Sequence, residues 1–167
     1  MALTKLNNQS LAAVTSAGIP IRSGSILQAL NTSFNGEVSS STTTPAATGL
    51  LQAITPTFAN SKLLVQVDIN GVYHNTTGGA VNLYLYKDSS PVTLVSGEAA
   101  AGKFGHTHAY NTAGQSITSC VFSKIVDAGS TSATTFQIYW ARTNNTGLAY
   151  INVNGATSAI TVTEIAG

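Results

Sequence analysis

Charge is what this sequence has least of: 8% of its 167 residues are Asp, Glu, Lys or Arg, against about 25% in an average soluble protein. The seven basic and six acidic residues are scattered. No basic run exists to neutralise phosphates, which argues against a nucleic-acid partner. A single cysteine, Cys120, excludes a disulfide framework within the chain. With no cationic neighbour in sequence to activate it, Cys120 reads as a small core thiol. No apolar stretch approaches the roughly 20 residues that cross a bilayer. The start Met1-Ala-Leu-Thr-Lys-Leu6 also lacks the apolar core and cleavage site of a signal peptide. Synthesis in a cytoplasm, without membrane insertion, is the expectation.

The hydrophobic share is 43%, which is ordinary. The surface must therefore be built from Ser, Thr, Asn, Gln and Gly, neutral groups that offer little electrostatic resistance to association. That combination predicts a surface covered in an assembly.

Catalytic patterns are missing as well. The acids Glu37, Asp68, Asp88, Glu98, Asp127 and Glu164 stand singly, so no pair is placed for acid and base work. There is no G-x-S-x-G elbow, phosphate loop or dinucleotide fingerprint. No catalytic residue and no cofactor is assigned, and an enzyme is not expected. His106 and His108, at i and i+2, would share a face of an extended segment. They are the candidate metal ligands, joined by His74 and Asp68 only if the fold gathers them. That spacing alone does not specify a metal site, and packing at a subunit contact is the simpler role. Four sequons, at Asn8, Asn31, Asn75 and Asn144, match the abundance of Asn, Ser and Thr.

What is present is strand chemistry. In Lys62 to Tyr73, Leu63, Val65, Val67, Ile69 and Tyr73 alternate with Gln66, Asp68 and Asn70, the period of a half-buried strand. Val81 to Tyr86 and Thr134 to Arg142 repeat it, the latter with Phe136, Ile138 and Trp140 on one face. Further strands are expected at Ser25 to Phe34, Leu50 to Ile54, Val92 to Ser96, Ser116 to Val126, Leu148 to Val153 and Ala159 to Ile165. Ser39 to Pro45 reads as loop or ragged edge strand, Gly78-Gly79 as a hairpin turn, and Lys87 to Ser90 as another turn. Glu98 to Gln115 reads as a long connection carrying Lys103, Phe104, His106, His108 and Tyr110, a candidate receptor or interface loop because connections of this length tend to be functional. Tyr84 and Tyr86, if outward, suit either glycan stacking or cross-strand packing.

Seven to nine short strands without helical periodicity predict an all-β fold, an antiparallel β-sandwich of jelly-roll-like type. Residues 25–167 form this domain. Residues 1–24 form an N-terminal docking arm, whose Leu3, Leu6, Leu11 and Val14 need a partner surface because so short an amphipathic piece is marginal alone.

The start Met1-Ala-Leu-Thr-Lys-Leu-Asn-Asn-Gln-Ser-Leu11, the segments Gly24-Ser-Ile-Leu-Gln28 and Asn60-Ser-Lys-Leu-Leu-Val-Gln-Val67, and the ending Ser158-Ala-Ile-Thr-Val-Thr-Glu-Ile-Ala-Gly167 resemble small virion surface proteins of tailed bacteriophages, marine and cyanobacterial ones especially. The resemblance implies a β-sandwich homotrimer on the virion surface with no catalytic residues. There is no room for a fibre shaft, so arm plus compact domain fits a capsid decoration, or cement, protein that docks on the major capsid protein. The alternative it implies is a tail-fibre or spike knob binding a host-surface receptor or glycan.

Overall fold

The computed structural model describes residues 21–94, 102–109, 117–143 and 146–167, with the side chains of 106–109 excepted. Alternation of apolar and polar residues resolves into eleven strands: β1 (Ile26–Phe34), β2 (Val38–Ser40), β3 (Ala46–Ile54), β4 (Lys62–His74), β5 (Gly79–Lys87), β6 (Ser90–Pro91), β7 (Lys103–Ala109), β8 (Thr118–Asp127), β9 (Thr134–Arg142), β10 (Ala149–Ile151) and β11 (Ser158–Ile165).

Two antiparallel sheets hold them. In the first, β1, β11, β4 and β8 lie side by side, with β2 and β10 extending it at the far end of β4. In the second the order is β3, β9, β5, β7, with β6 pairing the end of β5. The long pairs are nested: β5 with β7, β4 with β8, β3 with β9 and β1 with β11. This is a long antiparallel hairpin rolled into a sandwich, the jelly roll.

Between the sheets the inward side chains make one core. Leu63, Val65, Val67 and Ile69 of β4 meet Val81, Leu83 and Leu85 of β5, Phe136, Ile138 and Trp140 of β9, and Ile160 and Val162 of β11, all buried. Trp140 is thereby a core residue. Burying side chains of this size contributes about 1.5–3 kcal/mol each before entropy is counted.

Several expectations are corrected by the three-dimensional arrangement. The segment read as a long connection contains β7, paired with β5 from Ala109 opposite Gly79 to Lys103 opposite Tyr84. Its composition hid it, because Gly and His replace the branched and aromatic residues that mark strands. Gly78-Gly79 does not close a hairpin: β4 and β5 belong to different sheets, and residues 75–78 cross between them. At Val92 to Leu94 the chain is not a strand: β6 is only Ser90–Pro91, followed by the Val92 N–H donating to the Leu85 carbonyl (3.0 Å), and Val95 and Ser96 lie outside the described residues. Ser39 to Pro45 is edge strand and loop in turn, as expected: Ser39 and Ser40 end the short edge strand β2 against β10, and residues 41–45 are loop. Tyr73 does not share the face of Leu63. Pairing with β8 shifts between Ile69 and Val72, and Gly71 takes a φ of 61° there. This bulge reverses the phase, so Val72 and His74 turn inward and Tyr73 outward.

Among the described residues Glu164 is the one carboxylate inside. Its Oε1 accepts from the Thr57 N–H (2.7 Å) and Phe58 N–H (3.2 Å), its Oε2 from Gln28 Nε2 (2.7 Å) and Thr57 Oγ1 (3.0 Å). Burial alone would raise its pKa, but these hydrogen bonds, Gln28 foremost, outweigh it and hold the carboxyl at about 2. The charge ties the β3–β4 connection to β1 and β11.

Candidate interaction surfaces

Strand β8 is an edge. It pairs with β4, and among the described residues no strand pairs with its other side. Its outward positions carry Val121 and Ile125, 77% and 55% exposed, with Ile117 exposed just before the strand. Across the register, Val121 stands opposite Asp68 and Ile125 opposite Leu64. Next to these, β11 presents Ala159, Thr161 and Thr163. The outer face formed by β11, β4 and β8 is therefore neutral but for Asp68 and the ion pair of Lys62 with Asp127. That pair lowers the Asp127 pKa through the hydrogen bond and charge of Lys62. Large apolar side chains on an open strand edge are a template for association, which monomeric proteins ordinarily blunt with charge.

The outer face of the second sheet carries tyrosines. Tyr86 stacks on Tyr139 with ring centroids 3.9 Å apart. Tyr84, opposite Tyr139, is only 8% exposed, and burial pushes its hydroxyl pKa up. Of the two glycan-stacking candidates, Tyr84 is covered and Tyr86 spends a ring face on its neighbour, so packing describes this pair better.

A different aromatic pair is open. Tyr73, turned outward by the bulge, faces Tyr150 across the β4–β10 pairing with centroids 5.6 Å apart and planes at 31°. With Glu37, Asn75, Val153 and Asn154 they line a depression of about 330 Å³. Asn75 is fixed there: its N–H donates to the Leu148 carbonyl (3.1 Å) and its Oδ1 accepts from the Leu148 N–H (2.6 Å). Periodicity concealed this site, because it places Tyr73 on the core face. Gly71 within the strand was the available signal.

The candidate residues of the long connection separate. Phe104 points into the sandwich and stacks on Phe122 at 4.8 Å. Lys103 is half-buried opposite Tyr84. His106 and His108 occupy β7 positions opposite Asn82 and Ala80. Tyr110 lies outside the described residues, as do Leu3, Leu6, Leu11 and Val14 of the arm. His74 and Asp68 do not come together: His74 is inside and Asp68 on the outer face of the first sheet. Among the described residues no group of three His, Cys, Asp or Glu could hold a metal ion. Cys120 is half-buried with its Sγ against bare Gly105, where a Cβ would approach to 2.7 Å, and burial raises its pKa.

No protein-family model and no curated protein matches the sequence. Several solved structures are similar in shape. Among them is the VP2 subviral particle of infectious bursal disease virus, with a TM-score of 0.43 and 9% identity over 86% of this chain and 38% of that one. The chain thus spans well under half of that protein's length.

Proposed function

We propose that this chain is a structural protein of a bacteriophage virion: a homotrimeric capsid decoration protein that docks on the head shell through its N-terminal arm. The observation that carries the assembly role is the open β8 edge, where Val121 and Ile125 lie bare beside a nearly uncharged sheet face. Burying such a face between copies of the chain removes apolar area from water at about 25 cal/mol per Å². A closed symmetric oligomer satisfies every copy in the same way. The phage setting rests on the sequence resemblance, and the arm on the spacing of Leu3, Leu6, Leu11 and Val14.

The test is the copy number of this protein in purified virions relative to the major capsid protein, by quantitative mass spectrometry. A ratio of the same order supports shell decoration. A ratio of a few per cent overturns it in favour of a tail-fibre or spike knob. Replacing Leu6 and Leu11 by Ser in the full chain should abolish capsid binding while the oligomer persists. Unchanged binding would remove the arm from the proposal.

A further inference from the structure

We infer that the depression between Tyr73 and Tyr150 is a carbohydrate-binding site, and that it takes a neutral sugar in preference to a sialylated or uronic one. The inference goes beyond the assembly role and does not depend on it.

Three features converge. The first is the pair of rings. The Tyr86–Tyr139 pair is closed at 3.9 Å, whereas Tyr73 and Tyr150 are tilted by 31° at 5.6 Å and both border the 330 Å³ concavity. Half-exposed aromatic faces with a polar tip suit the C–H face of a pyranose, which is apolar in the middle and ringed by hydroxyls. The second feature is a set of polar groups free to meet those hydroxyls. Both Asn75 contacts to Leu148 leave its Nδ2 as a donor on a fixed backbone. Asn154 is exposed and held in the left-handed region at φ 57°. The exposed Glu37 carboxylate is an acceptor that can take two hydroxyls at once. The third feature is charge. Among the described residues Glu37 is the single charged one lining the depression, so an anionic sugar would meet a like charge at the rim.

The site is built rather than incidental, because the Gly71 bulge is what brings Tyr73 to this face. Beside it, Asn152 donates through Nδ2 to the carbonyls of Phe34 (2.9 Å) and Gly36 (3.1 Å), which anchors the segment that carries Glu37.

The experiment is ¹H–¹⁵N NMR titration of the full chain with a panel of neutral oligosaccharides of hexose and N-acetylhexosamine and their sialylated counterparts. The expected result is saturable shifts at Tyr73, Asn75, Tyr150 and Asn154 with a neutral member, at least several-fold weaker with its sialylated form. Tyr73→Ala and Tyr150→Ala should each weaken binding about tenfold or more, while Tyr73→Phe retains most of it. Glu37→Gln should narrow the gap between neutral and sialylated ligands. Absence of binding across the panel, shifts mapping elsewhere, unchanged binding by the alanine variants at unchanged melting temperature, or a preference for the anionic sugars would each overturn the inference. None of these outcomes alters the virion copy number, so the two proposals fail separately.

Discussion

Gly71 of β4 lies so close to Val153 of the turn between β10 and β11 that a Cβ on it would sit 2.7 Å from the Val153 nitrogen and 2.9 Å from its oxygen. Two irregularities, the Gly71 bulge and the Val153–Gly155 3₁₀ turn flanked by left-handed Asn152, are thus fitted to each other. Their joint effect is to extend the sheet past the end of β11 with β10 and β2, carrying Tyr150 to the side of Tyr73.

Gly71→Ala should therefore be costly in spite of adding one methyl group. The left-handed backbone and the contact with Val153 together predict a loss of about 2 kcal/mol or more, read as a lower midpoint in urea denaturation. A loss under about 0.5 kcal/mol would mean that the bulge is not required by the fold.

Glu164 predicts acid sensitivity of a definite sign. Its carboxyl titrates at about 2 in the folded chain, below the ordinary 4.5, so between these values the unfolded chain binds more protons. The stabilisation is complete above about pH 4.5 and is lost as pH falls toward 2, amounting to about 3 kcal/mol. Denaturation midpoints measured from pH 6 to pH 2 should fall across this window, and Glu164→Gln should flatten the fall while lowering stability at neutral pH.

His74 should remain neutral where a free histidine is half charged. Burial lowers its pKa below 6.5, and the positive charge of the nearby Arg142 adds to this. Its Nδ1 accepts the Thr76 N–H at 3.2 Å, so the proton resides on Nε2, which is buried with no hydrogen-bond partner among the described residues. Stability tied to this group is present above pH 6.5 and declines as pH drops below it. An NMR titration of the His74 ring should give a midpoint under 6.5, with an Nε2–H tautomer. A midpoint at or above 6.5 would contradict the geometry.

Val121→Lys together with Ile125→Lys should leave the fold intact, since both side chains project outward and exposed substitutions rarely cost more than about 0.5 kcal/mol each. Charge on a strand edge opposes pairing with another copy. Sedimentation of the wild-type chain should show an oligomer and the double variant a smaller species with an unchanged circular dichroism spectrum. If the oligomer survives, β8 is not its contact.

Much of the fold was legible because strand burial is written locally. Phe136, Ile138 and Trp140 fall inside and Gln137 and Tyr139 outside, as their alternation implies. The turn at Lys87 to Ser90 was signalled by Asp and Ser, and Asp88 and Ser89 take positive φ there. Two kinds of feature escaped. Strand β7 is poor in the residues that mark strands and is made one by its pairing with β5. The open tyrosine pair was missed because a single bulged residue reverses every facing beyond it.

The sequence by itself determined that this is an all-β chain, which positions of most strands turn inward, and that its surface carries little charge, since each is a property of neighbouring residues. Only the tertiary structure decided that β1 lies against β11, β3 against β9 and β4 against β8. It alone made β8 an edge and set Tyr73 beside Tyr150. The physical reason is range. Periodicity is imposed by the pleat from one residue to the next, whereas the choice of partner strand depends on how surfaces from about fifty to well over a hundred residues apart in the chain fit together, and that fit leaves no local trace.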